Sequence, residues 1–203
     1  GLMALATAAE ARVYLPHRTG TASDTDLDIF IARADAALAA WCGYPTIGAT
    51  PATFEDQTYT LYLDGPTDSD PHVLRLPARP IVSITSVHDD PLRVYGSDRL
   101  VAAGDYETDT AAGLVILKST SIQGAFSKAF RAQEVIAVLG FATIPAPIKD
   151  AACRLVANWY SRRGAQGKTA VGARGRSASF GPATIPAEVK QLVAPYRVWE
   201  GLL

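Results

Sequence analysis

Apolar positions along this chain change their spacing twice, from a three-to-four period near the N-terminus to alternation in the middle and back again toward the C-terminus. The first block predicts helices. Thr7 to Leu15 reads as a short one, stopped by Pro16 and the polar stretch Thr19 to Ser23. A longer helix follows, with Asp24 or Thr25 as its cap and Asp26 and Asp28 near the positive end of the dipole. Leu27, Phe30, Ile31, Ala34, Leu38 and Trp41 recur on one face of it, and Gly43 and Pro45 end it.

The second block, about Phe54 to Phe141, predicts strands. Tyr59 to Leu63 runs into the turn Asp64-Gly65-Pro66, and Val73 to Leu76 stops at Pro77, giving two short strands joined by a polar loop. Ile81 to Val87 alternates Ile/Val with Ser/Thr, as a half-buried strand does, and breaks at His88-Asp89-Asp90-Pro91. Further strands are expected around Tyr106, at Leu114 to Leu117 and at Val135 to Leu139.

The third block returns to helix. Pro145 and Pro147 suit a first turn, where a missing N–H has no partner to lose, and Ile148, Ala152, Leu155, Val156 and Trp159 form the apolar stripe up to Gly164. Gly167 to Pro182 has no stable period and reads as a mobile loop or a hairpin. A last short helix starts at Pro186, with Val189, Leu192 and Val193 on one face and Pro195 as its limit.

The economical architecture is α+β. Helices from both ends of the chain, residues 1–50 and 143–203, pack antiparallel as one body with a C-terminal docking segment, and residues 51–142 form an inserted, small, mostly antiparallel β-unit. With 203 residues and 48% hydrophobic content the chain can bury a sizeable core. It holds no apolar run of the roughly 18 residues a membrane span needs, and Gly1 to Leu5 lacks signal-peptide character, so no membrane partner and an intracellular setting are expected.

The net charge of −1 conceals a partition. Residues 1–110 carry 16 Asp and Glu against 7 Lys and Arg, whereas residues 111–203 carry 4 against 12. Such asymmetry favours stacking of like subunits or an oppositely charged partner, unless the fold intermixes the charges.

Catalytic patterns are missing from the residues. Gly164-Ala165-Gln166-Gly167-Lys168-Thr169 ends like a phosphate-binding loop, but Arg162 stands where its first glycine belongs and a helix, not a strand, precedes it. His17, His72 and His88 lack close-spaced companions and read as lone surface residues. Asp64, Asp68, Asp70, Asp89 and Asp90 lack a cation-binding register and read as turn formers. Cys42 and Cys153 are not spaced as ligands and read as buried free thiols. No enzyme, cofactor or metal is expected. The basic residues Arg162, Arg163, Lys168, Arg174 and Arg176 have no acidic residue among them, which permits phosphate contact and equally permits a solvated loop.

The order of segments resembles the head-tail connector (adaptor) proteins of long-tailed bacteriophages and phage-like gene transfer agents. It rests on Trp41-Cys42-Gly43-Tyr44-Pro45 ending an Ala-rich helix, Tyr62-Leu63-Asp64-Gly65-Pro66, Leu76 to Val87, Asp105-Tyr106, Gly140 to Lys149, and Asn158 to Gly164. The resemblance covers nearly the whole chain, and the order is more specific than any one motif.

It implies a structural virion protein: a homo-oligomeric ring of about twelve copies that joins the portal protein to stopper and tail proteins, with double-stranded DNA passing through its lumen. The implied location is the neck of a virion or virion-like particle, after assembly in the bacterial cytoplasm. The implied portal-binding residues are Val189, Leu192, Tyr196, Arg197, Trp199, Leu202 and Leu203, although Tyr196 and Trp199 equally suit packing on their own subunit. Arg162, Arg163, Lys168, Arg174 and Arg176 would contact the DNA channel or a neighbouring subunit. The alternative is a non-specific nucleic-acid-binding accessory protein using the Gly/Arg-rich loop. A carbohydrate-binding β-module has too few suitably placed aromatics, and an NTPase lacks its loop.

Overall fold

The computed structural model describes residues 5–15, 24–46, 51–66, 70–162, 170–173, 176–179 and 185–198. They form helices and antiparallel strands, an α+β fold, in two compact units. One unit joins the described residues of Gly1–Cys42 to those of Ile144–Arg197, and the other comprises those of Gly43–Thr143 with Val198.

The helical unit contains α1 (Ala8–Val13), α2 (Asp24–Trp41), α3 (Ala146–Arg162) and α4 (Ala187–Val193). Thr7 caps α1 through a reciprocal box: its hydroxyl accepts from the Glu10 amide at 3.2 Å, and its own amide donates to the Glu10 carboxylate at 2.7 Å. The Thr7 amide, then its hydroxyl, hold the Glu10 carboxyl below its ordinary pKa. Asp24 and Thr25 already lie inside α2, so neither is its cap; Asp24 and Asp26 serve the first turn instead, and Asp24 pairs with Arg12 of α1.

The stripe on α2 buries Leu27, Ile31, Ala34 and Leu38, while Phe30 at its margin meets Tyr160 of α3 edge-to-face with centroids 5.8 Å apart. α3 buries Ile148, Ala152, Leu155 and Val156 as its period predicts, together with Ala151, Cys153 and Tyr160. Its first turn hangs on the Pro145 carbonyl, which accepts from the amides of Ile148 and Lys149. Within this unit's span, β7 (Ala170–Ala173) and β8 (Arg176–Ser179) pair as an antiparallel hairpin, so the segment read as loop or hairpin contains the latter. Residues 163–169, where the end of α3 at Gly164 was expected, lie outside the described residues.

The β-unit holds two three-stranded antiparallel sheets. One has β1 (Gln57–Leu63), β6 (Gln133–Leu139) and β3 (Ile81–Asp89) in that order. The other has β2 (Val73–Arg75), β5 (Leu114–Leu117) and β4 (Tyr106–Asp109). The strands flanking the Asp64-Gly65-Pro66 turn therefore go to different sheets. Tyr59 and Leu61 of β1 find their apolar match opposite Ala137 and Val135 of β6, and Leu74 of β2 finds Val115 of β5. β3 shifts register between Ile81 and Ser83 and again between Ile84 and Ser86, two irregularities that increase its twist.

Two glycines make this packing possible. Gly140 has a φ of 119° and lies so close to the Glu55 carbonyl that a Cβ would overlap it, and Gly65 approaches the Ser127 carbonyl in the same way. The chain after α2, expected with the helices, clusters with the strands. The reason is Tyr44, whose hydroxyl donates to the Arg79 carbonyl at 2.6 Å and whose ring packs 4.9 Å from Phe54, while Val198 covers Gly43.

Candidate functional site

On the helical unit, the side of α3 beside α1 and α4 forms an open groove of about 480 Å³ lined by Tyr14, Arg154, Asn158, Ser161, Arg162 and Glu188. Asp150 organises it. One carboxylate oxygen accepts from the Tyr14 hydroxyl at 2.6 Å and the other from Arg154 Nε at 3.0 Å, and the guanidinium sits 5.9 Å from the Tyr14 ring centre. That hydrogen bond, with a smaller contribution from burial, raises the Tyr14 pKa above its ordinary value. Val13, next to the groove in sequence, is 82% exposed.

The C-terminal segment is divided between core and surface. Val189 is fully buried in the helical unit, so as folded it offers nothing for docking, whereas Leu192, Tyr196 and Arg197 are half-buried. The Arg197 guanidinium lies 4.9 Å from the Trp41 ring centre and Lys190 Nζ lies 5.8 Å from it, so this end of the unit presents cations around an indole. Trp199, Leu202 and Leu203 lie outside the described residues, as do Arg163, Lys168 and Arg174. Arg162 is the last residue of α3 and enters the groove lining; Arg176 opens β8. From the basic set, Arg162 thus enters the groove, beside Arg154, which the sequence reading did not select.

The β-unit has its own surface at the ends of β1, β3 and the start of β6. Asp89 and Asp90 are both buried there. The Asp89 carboxylate accepts from the Ser127 amide at 2.9 Å, from Gln133 Nε2 at 2.8 Å and from the Gln123 side chain, which fastens the segment before β6 to the sheet. The Asp90 carboxylate accepts from the amides of Leu92, Val94 and Tyr95 at 2.9, 2.8 and 2.9 Å. Burial alone would push the Asp90 carboxyl up, but these donors together hold it below its ordinary value. Arg93 and Tyr95 take left-handed φ values of 60° and 53°, a conformation unusual for such side chains and held here by the three bonds. The loop thus carries Leu92 and Val94 outward, 75% and 77% exposed.

Next to this loop the Tyr62 and Tyr95 rings lie 5.4 Å apart, and the Tyr95 hydroxyl donates to the Arg131 carbonyl at 2.6 Å. Glu134 stands in register between Tyr62 and His88, hydrogen-bonding the former and lying 3.4 Å from Nδ1 of the latter. His88, read from sequence as a lone surface residue, is therefore a half-buried strand residue with a carboxylate partner. The sequence signal for this was the strand period, which stops at Val87, two residues short of the end of β3.

The charge partition maps onto the two units only in part, because residues 1–42 of the acidic half belong to the helical unit and residues 111–143 of the basic half to the β-unit. The helical unit's span carries 12 Lys and Arg against 7 Asp and Glu, a net of +5, and the β-unit's span carries 7 against 13, a net of −6. Among the described residues no group of three or more His, Cys, Asp or Glu is placed to hold a metal ion, and no helix is long and apolar enough to cross a membrane. Both thiols are buried, Cys42 with its pKa pushed up to about 12 and Cys153 to about 11, mainly by burial.

Residues 4–199 match a family model described as head completion protein. Among solved structures, the chain resembles one from the virion of a native gene transfer agent particle, with a TM-score of 0.58 and 18% identity, covering 96% of this chain and 90% of that one. A chain from the neck of a native gene transfer agent particle, computed with C12 symmetry, gives a TM-score of 0.55 and 19% identity over 96% of this chain and 89% of that one. One from the neck of an empty particle, computed with C6 symmetry, gives 0.56 and 20% over 96% and 90%. At these identities the likeness establishes the fold. Comparison with curated proteins finds no match.

Proposed function

This chain belongs to the head completion protein family, and from that premise we propose that it is a structural connector in the neck of a virion or virion-like particle. The family match across residues 4–199 carries the reading. The shared fold with chains from gene transfer agent necks supports it, and so does the C12 symmetry used for one of those necks, which suits a ring of identical copies.

In this reading the chain forms a homo-oligomeric ring between the portal protein and the stopper and tail proteins, with double-stranded DNA passing through the lumen, and performs no catalytic step. The C-terminal segment around Leu192, Tyr196 and Arg197, continuing to Trp199, Leu202 and Leu203, docks on the portal. Arg162, Arg163, Lys168, Arg174 and Arg176 supply positive charge toward DNA or the adjoining copy. The absence of any acidic residue among them in sequence supports that assignment, because clustered positive charge attracts a phosphate backbone without reading its sequence.

The test is to mix the purified chain with the portal protein of the same source and image the mixture by electron microscopy. A ring added to one end of the portal is the expected result. Absence of binding at every salt concentration, together with steep salt-dependent DNA binding by the monomer, would replace this reading with that of a nucleic-acid-binding accessory protein.

A further inference from the structure

We propose that β1 accepts an added strand from a second copy of this chain: β8 of that copy's β7–β8 hairpin lies along the edge of β1 that faces away from β6. This deepens the ring reading and rests on it. A closed ring repeats one heterologous contact, so each copy must give one element and receive a different one.

β1 is suited to receive. It is an outer strand of the order β1-β6-β3, and among the described residues no strand pairs with its other side. An open strand edge presents a row of backbone N–H and C=O groups, and such edges are ordinarily blunted by charge, proline, a bulge or a covering segment. Gln57–Leu63 contains no charged residue, proline or glycine, and its register with β6 runs unbroken along all of it. β3, at the opposite side of the same sheet, has two register shifts, and the Val101 amide donates to its Val87 carbonyl at 2.8 Å.

The hairpin is suited to give. β7 and β8 pair with each other and, among the described residues, with no other strand. Two strands alone are marginal in water, and a third stabilises them. Ala170–Ala173 and Arg176–Ser179 consist of Ala, Gly, Ser, one Val and one Arg, so main-chain pairing is what the hairpin has to offer a partner. Gly172 weakens β7, which leaves β8 as the strand to add.

Local chemistry selects the register. Thr58 and Thr60 are exposed two residues apart on β1, and Ser177 and Ser179 recur at the same spacing on β8; Thr and Ser are favourable cross-strand neighbours. Run parallel, β8 sets Ser177 beside Thr58, Ser179 beside Thr60 and Arg176 beside Gln57, next to the exposed Asp56. Run antiparallel on the same Ser–Thr pairs, it would set Arg176 beside Leu61, a buried position with no carboxylate in the strand around it. The parallel register is therefore the one that gives the cation an opposite charge.

A photo-crosslinking residue at Ser177 tests this on the full-length chain, with isotopically heavy and light copies mixed and assembled on the portal protein. The expected adducts join heavy to light copies through peptides containing Gln57–Leu63. If rings are visible but the adducts map to the portal, to another part of the neighbour or only within one copy, the contact is wrong and the connector reading stands. If no ring forms under any condition, the connector reading fails and takes the contact with it.

A charge exchange gives a second readout. D56K and R176D should each raise the concentration needed for rings roughly fivefold, with unchanged monomer melting, and the two changes combined in one chain should restore it. Rings at the wild-type concentration in both single variants, or no restoration in the combined one, would overturn the contact.

Discussion

The Tyr14 hydroxyl donates a 2.6 Å hydrogen bond to the Asp150 carboxylate, so the end of α1 is held on the flank of α3 by residues 136 positions apart in the chain. A folded-state pKa raised by this bond means that its stabilisation is complete below the ordinary tyrosine pKa of about 10 and disappears as pH rises through the folded value. Y14F should therefore melt below the wild type at neutral pH, and the gap should close at strongly alkaline pH. Thermal scans across that range check it; a gap that persists unchanged would assign the difference to something other than this bond.

Asp90 gives the opposite pH signature. Its carboxyl is held below the ordinary value, so its contribution is present above about pH 4 and is lost as pH falls through the folded value. D90A should leave the sheet intact while the Leu92, Val94 and Tyr95 amides exchange rapidly with solvent. Hydrogen exchange by nuclear magnetic resonance reads this directly, and the wild-type loop should loosen in the same way at acid pH.

Gly140 and Gly104 form a matched pair. A Cβ at Gly140 would collide with the Glu55 carbonyl and sit on a left-handed backbone, whereas one at Gly104 meets nothing within 4 Å. G140A should cost about 2–4 kcal/mol and G104A within about 0.5 kcal/mol of nothing, measured by denaturant unfolding. Equal effects would mean that the Gly140 approach to Glu55 relaxes freely.

The thiols should be silent in the folded chain. Burial raises Cys42 to about 12 and Cys153 to about 11, leaving almost no thiolate at neutral pH. A thiol reagent should label neither residue in native buffer and both after denaturation. Rapid native labelling of Cys42 would show that the end of α2 opens readily.

The parts of this fold that could be read from the sequence are those governed by local period. Leu27, Ile31, Ala34 and Leu38 fall one helical turn apart because one face of α2 is buried, and Ile81 to Val87 alternates because one face of β3 is. Strand partners were not legible, since β1 pairs with β6 through apolar matches distant in sequence, past β2 and β5. Nor was the site. Asp89 and Asp90 look like ordinary turn residues until the backbone brings amide donors to them, and neither Arg93 nor Tyr95 advertises a left-handed conformation as glycine would. Val189 was correctly placed on the apolar face of its helix, but period alone does not say whether such a face meets the chain's own core or another protein; here it meets the core.

The two register shifts of β3 bear on how such a chain stays in solution before it is built into anything. β3 is an edge strand of its sheet, and a long flat edge invites the same strand of another molecule to zip alongside it. Two offsets within nine residues spoil that template, because a partner strand would have to reproduce both kinks in phase to keep its hydrogen bonds. The chain itself takes up part of the same edge, since the Val101 amide donates to the Val87 carbonyl, the Ile81 amide donates to the Thr110 carbonyl and Leu100 bridges to His88, so β3 offers a second molecule little continuous template.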